Sequence, residues 1–332
     1  MSEPTVVLLA WCPTATLYLD ALVRAGAAPV LVVTGFGAPA EAPLVQACER
    51  AHVPLERCRD ANAVAFASRL AQLAPDLVLV AGWPRVLGEA LRRVARSGIV
   101  NFHPSLLPCY RGRHPLFWAI LRGEPEVGIT LHHVTAEVDA GPILLQRAVA
   151  VPQGATSASL AEVVDRAGAG LVPDLLRSAR FGALPPGTVP SDAGSYFPPV
   201  RAEHALLDWT CPAHRLERLV RACAGVTHAH SFFRGMKLVA LAAHAVVAPR
   251  AATPGTVLSV GPDGTLVATG SDDEAAPATA LRVTRWLFLE REHSAPSLAA
   301  LADLAPGARL AANPALSTLP ASDHEAGEPE TA

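Results

Sequence analysis

Three side chains with complementary chemistry stand at the ends of apolar, strand-like segments. Residues 101–104 (NFHP) supply the amide of Asn101 and the imidazole of His103. The turn 138–142 (VDAGP) supplies the carboxylate of Asp139. An amide can stabilise a developing oxyanion, an imidazole can transfer a proton near neutral pH, and a carboxylate can orient that imidazole. Together these groups are suited to the transfer of an activated one-carbon acyl group to an amine.

The spacing of Asn101 and His103 favours a common site. Because they are two residues apart at the end of a strand, their side chains are expected on the same side of the sheet. Pro104 restricts His103 to an extended conformation. Taken singly, Asn101 could cap a loop, His103 could be a hydrogen-bonded loop histidine and Asp139 could be a turn residue. The combination of all three favours the functional interpretation.

Apolar strand-like segments alternate with helical patterns in the first half of the chain. The predicted strands are Thr5–Trp11, Pro29–Val33, Asp76–Ala81, Gly98–Phe102, Gly128–Val134 and Pro142–Val151. The predicted helices are Thr16–Ala25, Leu44–Ala51, Asn62–Leu73, Gly88–Val94, His114–Arg122 and Ser157–Phe181. This alternation predicts an α/β, Rossmann-like domain with a mainly parallel sheet over residues 1–181. The loop 11–17 has no glycine, so the dinucleotide-binding fingerprint is missing and another ligand is expected at the strand ends.

The second half has a different pattern. Residues 182–200 are rich in Pro, Gly and Ser and predict a linker. Residues 201–315 carry one helical segment and several short strands separated by turns, which predicts a small β-barrel, OB-like domain. The polar, acidic stretch 316–332 is predicted to be a disordered tail.

Composition narrows the class of protein. The chain has 332 residues, a formal net charge of -3 and 51% hydrophobic residues, a composition that is typical of globular domains. The sequence contains no run of Lys or Arg of the kind that marks a nucleic-acid-binding face. Its six cysteines form no C-x-x-C pair and no zinc-binding spacing, and their scatter predicts free thiols in a reducing compartment. No apolar run is long enough to cross a membrane, so we expect a cytoplasmic protein without membrane association.

The site motif resembles a known family. Residues 101–112 (NFHPSLLPCYRG), 128–130 (GIT) and 139–143 (DAGPI) resemble the formyltransferases that use N10-formyltetrahydrofolate. Residues 207–209 (LDW) and 216–222 (LERLVRA) are similar to the C-terminal domain of methionyl-tRNA formyltransferases and of the UDP-aminoarabinose formyltransferase. The resemblance covers most of residues 1–290.

The resemblance implies a role for each residue of the motif. Asn101 would bind the formyl oxygen, His103 would manage protons, and Asp139 would orient His103 and raise its pKa. N10-formyltetrahydrofolate would be the co-substrate, and no metal would be needed. By the same resemblance, the residues that would contact the folate are Arg85, Val86, Leu87, Arg113, Thr135, Ala136, Glu137 and Val138.

The sequence gives less information about the acceptor of the formyl group than about the catalytic residues. The tRNA enzymes carry a basic insertion after the second strand, whereas residues 33–43 here contain no Lys or Arg. Residues 111–118 (RGRHPLFW) are closer to the amino-sugar enzyme, while Cys109 and the segment 225–230 depart from the relatives. We therefore expect a small-molecule amine of secondary metabolism, such as a nucleotide-linked amino sugar or hydroxyornithine, and no tRNA partner.

Other functions remain open at this stage. The alternative acceptor is methionyl-tRNA, in translation initiation. A non-catalytic folate-binding relative is disfavoured because Asn101, His103 and Asp139 are all present. A hydrolase that removes the formyl group from the same folate is a further alternative. The sequence predicts no particular oligomeric state.

Overall fold

The computed structural model describes residues 4–38, 41–179, 184, 186–190, 192, 194–271 and 277–311. The predicted tail, residues 316–332, lies outside the described residues. The chain divides into two compact units that alternate along the sequence. The first unit comprises Met1–Pro115, Pro125–Val151 and Leu160–Phe197, and the second comprises Leu116–Glu124, Pro152–Ser159 and Pro198–Ala332. The domain boundaries predicted from the sequence, at residues 181, 200 and 315, remain a prediction.

Strands alternate with helices through the first half of the chain, as predicted. The strands are β1 (Val6–Ala10), β2 (Leu31–Gly35), β3 (Leu55–Cys58), β4 (Leu77–Ala81), β5 (Ile99–His103), β6 (Arg111–Gly112), β7 (Glu126–His133), β8 (Ile143–Ala150) and β9 (Tyr196–Phe197). The helices are α1 (Ala15–Arg24), α2 (Glu41–Ala51), α3 (Val64–Gln72), α4 (Glu89–Arg92), α5 (Pro115–Arg122), α6 (Ser157–Ala169) and α7 (Val172–Ala179).

Seven of these strands form one sheet in the order β3-β2-β1-β4-β5-β7-β8. The first five strands are parallel, whereas β7 runs antiparallel to both β5 and β8. The expected mainly parallel, Rossmann-like sheet is therefore confirmed. Because parallel strands have their carboxyl ends at the same edge of a sheet, the loops after β1, β2, β3, β4 and β5 all lie at that carboxyl edge.

Strand β5 carries its side chains alternately to the two faces of the sheet. Ile99 belongs to a buried core cluster that also contains Val7 and Val80 of neighbouring strands. Asn101 and His103 follow Ile99 at two-residue intervals, so they lie on the face of this cluster. Phe102 lies on the opposite face, where its ring is 4.5 Å from that of Tyr18.

The structure differs from the sequence prediction at several places in this part of the chain, and the two-residue strand β6 was among the elements not predicted. The long helix expected over Ser157–Phe181 is two helices, because Gly170 is a weak helix former and Pro173 has no N–H to bond the carbonyl of Ala169. The short strand β3 was not predicted. Part of the expected linker forms strand β9, which pairs in parallel with β6.

The second unit contains an antiparallel sheet. Its described elements in the C-terminal part of the chain are a 3-10 helix (Ala202–Ala205), α8 (Ala213–Cys223), β10 (His230–Phe233), β11 (Met236–Val247), β12 (Val257–Gly261), β13 (Gly264–Ala268), β14 (Thr279–Phe288), β15 (Arg291–His293) and α9 (Ala295–Ala302). The strand order is β10-β11-β14-β13-β12, with β15 paired to β14. This arrangement confirms the expected small β-domain, although β15 and α9 were not predicted.

A search of the described residues for a helix long and apolar enough to cross a membrane found none.

Candidate active site

The sheet brings the three predicted catalytic residues together. His103 ends strand β5, and Asp139 lies in the loop between β7 and β8. The distance from His103 Nδ1 to Asp139 Oδ2 is 3.5 Å, and the His103 side chain is only 5% exposed. Asn101 lies two residues before His103 on the same face of the strand. The structure therefore places an amide, an imidazole and a carboxylate in one cluster.

Each ring nitrogen of His103 faces an oxygen. Nε2 lies 2.9 Å from the backbone carbonyl oxygen of Tyr110, and Nδ1 faces Asp139. Because a carbonyl can only accept a hydrogen bond, Nε2 carries a proton and donates it to Tyr110. The neutral ring therefore has its lone pair on Nδ1. A proton taken up at Nδ1 would lie next to the carboxylate of Asp139.

Asp139 is fixed by its backbone conformation and by three neighbours. Its φ angle is 51°, in the left-handed region that a non-glycine residue adopts only when its surroundings hold it there. Its Oδ2 accepts a hydrogen bond of 3.0 Å from the backbone N–H of Gly112. Its Oδ1 lies 3.5 Å from Nε2 of His132. The carboxylate is thus aimed at His103 by the loop that carries it.

Burial and neighbouring charges determine the protonation states of His103 and Asp139. Burial lowers the pKa of His103, although the charge of Asp139 and the Tyr110 carbonyl oppose this effect. Burial would raise the pKa of Asp139, but the positive charges that His103 and His132 carry when they are protonated at low pH, together with the Gly112 N–H, outweigh it and lower that pKa to about 2. At neutral pH the pair is a neutral imidazole beside a carboxylate. This is the state in which His103 can accept a proton.

Asn101 is oriented by a residue that the sequence analysis missed. Its Nδ2 lies 3.2 Å from Nε2 of His132, which is directly opposite Asn101 in the β5–β7 register. Nδ1 of His132 lies 2.9 Å from the carbonyl oxygen of His133 and therefore donates to it. His132 Nε2 is then an acceptor for one amide proton of Asn101. The second amide proton of Asn101 can then be donated to the oxygen of a bound acyl group.

Hydrogen bonds from the side chains of Thr130 and Gln146 hold the loop after β5 in place. The hydroxyl of Thr130, opposite His103 in the register, donates to the carbonyl of Ser105 at 2.6 Å and accepts from the N–H of Leu107 at 3.2 Å. Gln146 donates to the Thr130 hydroxyl at 2.8 Å and to the Leu107 carbonyl at 3.0 Å. These bonds anchor the backbone that follows His103.

The segment Tyr110–Gly112 connects the catalytic side chains to strand β9. Tyr110 supplies the carbonyl for His103, and Gly112 supplies the N–H for Asp139. Ser195, just before β9, accepts the N–H of Tyr110 with its hydroxyl at 2.9 Å and the N–H of Arg111 with its carbonyl at 2.8 Å. A Cβ on Gly112 would lie 2.3 Å from the carbonyl oxygen of Phe197, so only glycine allows this approach.

The residues predicted to contact the folate occupy two loops and one isolated position. Arg85 and Val86 are exposed in the loop after β4, whereas Leu87 is 5% exposed and belongs to the core cluster. The side chain of Leu87 therefore packs in the hydrophobic core. Asn62 holds this loop by donating to the Val86 carbonyl at 2.9 Å and accepting the Gly88 N–H at 2.7 Å.

The second predicted folate loop precedes Asp139. Its four residues Thr135, Ala136, Glu137 and Val138 are all exposed. Thr135 donates its hydroxyl to the carbonyl of Glu137 at 3.1 Å, and the Glu137 carboxylate pairs with Arg111 at 3.1 Å. Arg113 is exposed in the short connection between β6 and α5. The contacts of these residues with a folate remain a prediction.

Replacing Asp139 with asparagine should shift the pH profile as well as the rate. The carboxylate raises the pKa of His103, so its removal should move the acid limb of kcat/KM to lower pH. We expect kcat to fall by about ten- to a hundred-fold, because His103 loses the group that stabilises its protonated form. The rate should be measured from pH 5 to pH 9. A slower variant with an unmoved acid limb would indicate that Asp139 has a purely structural role.

Asp139 also makes stability depend on pH. Its folded-state pKa of about 2 is below its ordinary value of 3.8, so its contribution is present above pH 3.8 and is lost as the pH falls towards 2.

Ser195 is expected to act as a positioning residue. In Ser195→Ala, the N–H of Tyr110 loses its acceptor, and the carbonyl that orients His103 is less well fixed. We expect kcat to fall by about ten-fold with little change in KM. Ser195→Thr keeps the hydroxyl and should restore most of the rate. If alanine and threonine variants both match the wild-type kcat and pH profile, the role of Ser195 is limited to folding.

Two known domain families match this chain. Residues 32–176 match the formyl transferase family, and residues 199–283 match the C-terminal domain of formyl transferases. A methionyl-tRNA formyltransferase from Roseiflexus sp. (strain RS-1) is 37% identical over 234 residues, which cover 69% of this chain and 70% of that protein.

Two solved structures share the fold. HypX from Aquifex aeolicus in complex with tetrahydrofolic acid has a TM-score of 0.62 and 20% identity, and the match covers 90% of this chain but only 47% of HypX. A sugar N-formyltransferase from Shewanella sp. FDAARGOS_354 has a TM-score of 0.58 and 20% identity, over 70% of this chain and 95% of that chain. At this identity the two likenesses establish the fold alone.

The relatives correct one expectation and confirm another. The expectation from the sequence that tRNA is not a partner is wrong, because similar proteins are named methionyl-tRNA formyltransferases. The charge of one short loop and the net charge of the chain do not determine the electrostatic potential at each part of the surface, so they do not decide whether tRNA binds. The expectation of formyl transfer is confirmed. Both domains of the family are matched and a relative aligns over more than two thirds of the chain, so the chain belongs to the formyl transferase family, whose co-substrate is a formyl-folate.

Proposed function

We propose that this protein transfers the formyl group of N10-formyltetrahydrofolate to the α-amino group of methionyl-tRNA. The arrangement of Asn101, His103 and Asp139 on one face of β5 supports the chemistry. The 37% identity to a methionyl-tRNA formyltransferase supports the acceptor. The amino-sugar acceptor has only fold-level support from the solved structures, so it is treated below as the competing outcome.

The first step is attack of the amine on the formyl carbon. The amine nitrogen forms a C–N bond, and the electron pair of the C=O bond moves to oxygen. Asn101 donates its second amide proton to this developing oxyanion. His103 takes the extra proton from the attacking nitrogen at Nδ1, and Asp139 stabilises the resulting imidazolium.

The second step breaks the bond from the formyl carbon to N10. The oxyanion restores the C=O bond, and the electron pair of the breaking bond goes to N10. His103 returns its proton to N10, so tetrahydrofolate leaves as a neutral amine. The products are formyl-methionyl-tRNA and tetrahydrofolate, and His103 is again neutral. No covalent intermediate with the protein is required.

An acceptor comparison tests the proposal. Purified protein is incubated with N10-formyltetrahydrofolate and one acceptor at a time, and the release of tetrahydrofolate is followed by absorbance. The acceptors are charged initiator methionyl-tRNA, uncharged tRNA as the matched control without an α-amine, and a UDP-linked amino sugar. Release that depends on the charged tRNA supports the proposal. Release with the amino sugar alone, or equal release without an acceptor, would overturn it.

A further inference from the structure

Aromatic and cationic side chains follow consecutive strands along the carboxyl edge of the large sheet. In the order of the sheet they are Arg59 after β3, Phe36 after β2, Trp11 after β1 and Trp83 after β4, and the next strand, β5, ends at His103. We call these four residues the aromatic row. Neighbouring strands are about 4.8 Å apart, so the row extends about 19 Å from the β3 end to the catalytic strand.

The two tryptophans pack against each other in the middle of the row. The rings of Trp11 and Trp83 are 6.0 Å apart and meet edge to face at 79°. Gly35, the last residue of β2, allows this arrangement. A Cβ at Gly35 would lie 1.6 Å from the Trp11 ring, so only glycine lets the indole lie across the end of β2. The ring of Trp11 therefore connects the ends of two strands.

The outer part of the row faces solvent. Phe36 is 52% exposed, and the guanidinium carbon of Arg59 lies 4.6 Å from the centre of its ring. An exposed phenylalanine at a strand end contributes little to the core. A guanidinium stacked on a ring keeps its N–H donors directed outward in the plane of the group. This pair presents an aromatic edge and a positive charge to an incoming ligand.

The chemistry of the row fits a nucleotide chain. Aromatic faces stack with nucleobases without regard to sequence, and arginine contributes both stacking and a contact for phosphate. In the order of the sheet, the row ends next to β5, whose last residue is His103.

We propose that the aromatic row binds nucleotides at the single-stranded 3′ end of the aminoacyl-tRNA acceptor and directs its amine towards His103. This inference rests on the proposed function. The loop predicted to contact the folate follows β4, whereas Phe36 and Arg59 follow strands two and three positions further along the sheet, about 10 and 14 Å away. The outer part of the row is therefore separate from the proposed folate position.

Kinetics of Phe36→Ala and Arg59→Ala test the assignment. Both side chains are exposed, so the folded state should be retained. KM is measured separately for methionyl-tRNA and for N10-formyltetrahydrofolate. We expect KM for methionyl-tRNA to rise about ten-fold in each variant, with KM for the formyl donor unchanged. Phe36→Trp keeps a ring for stacking and should restore the wild-type KM.

Matched controls are found at the opposite edge of the sheet and on helix α2. Leu73→Ala removes an apolar side chain that is 40% exposed just before β4, and Arg50→Ala removes an exposed arginine. Neither control should alter KM for tRNA. A change confined to the formyl donor, or no change in Phe36→Ala, would overturn the assignment. If the wild-type protein does not use methionyl-tRNA, the proposed function itself fails and this inference fails with it.

Discussion

Replacing His103 with alanine is expected to lower kcat by about 10²- to 10⁴-fold. The neutral imidazole is the group that can accept the proton of the attacking amine and return it to N10. Its nearest alternative, Asp139, has a pKa of about 2 and is too weak a base for that task. KM for both substrates should change little, because His103 acts in the transition state. The rate of tetrahydrofolate release at saturating substrates measures the effect.

The fold of this variant needs a separate check. His103 is buried and donates to the Tyr110 carbonyl, so alanine leaves that carbonyl without its partner. His103→Gln keeps an amide donor but no base, and it should be as inactive as the alanine variant while unfolding closer to the wild-type temperature. His244→Ala, at an exposed position in the second unit, is the matched histidine control. Wild-type rates in a folded His103 variant would contradict the assigned role.

Asn101 and His103 could be predicted from the sequence because the pattern that identifies them lies within a few consecutive residues. Asn101 and His103 lie two residues apart, and the period of a strand alone places them on one face. The proline after His103 fixes the extended backbone. Asp139 stands in a turn, and its link to His103 came from the complementary chemistry of the three groups and from the resemblance to the formyltransferases, since no spacing in the sequence joins the two residues. The catalytic roles of the three remain a prediction, although the structure brings their side chains together.

The residues that the sequence analysis missed depend on long-range pairing. His132 faces Asn101 only because β7 pairs antiparallel with β5 in one particular register. A shift of one residue would place His133 there instead. The alternation of Thr130 and His132 was visible in the strand, but nothing local aligned it with β5. Ser195 is 85 residues from Tyr110 and lay in a segment predicted to be a linker.

The parts of the fold that were predicted are those with continuous apolar strands. β1 and β4 are buried throughout, so their sequences are recognisable without a partner. β3 has only one buried residue, Cys58, and its sequence LERC carries no strand pattern. The expectation that no tRNA is bound came from a missing basic loop, and it is wrong because similar proteins are named methionyl-tRNA formyltransferases. Surface contacts can differ between proteins that share a fold and a catalytic site, so one loop does not determine the acceptor.

Asn101→Ala is expected to lower kcat by about 10²- to 10³-fold. The amide of Asn101 is the only side chain in the proposed mechanism that donates to the oxyanion, and its orientation is fixed in advance by His132 at 3.2 Å. Its contribution should be small in the ground state, because a neutral formyl oxygen accepts a weaker hydrogen bond than an oxyanion. The loss should therefore fall on kcat, with KM for the formyl donor nearly unchanged.

The isosteric variant Asn101→Asp separates charge from shape. It keeps the size of the side chain but replaces the donor by a negative charge next to the developing oxyanion, so it should be slower than Asn101→Ala. Single-turnover measurements with bound N10-formyltetrahydrofolate give the chemical step directly. If the aspartate variant is faster than the alanine variant, or if both lose only affinity for the folate, Asn101 orients the co-substrate and does not stabilise the oxyanion.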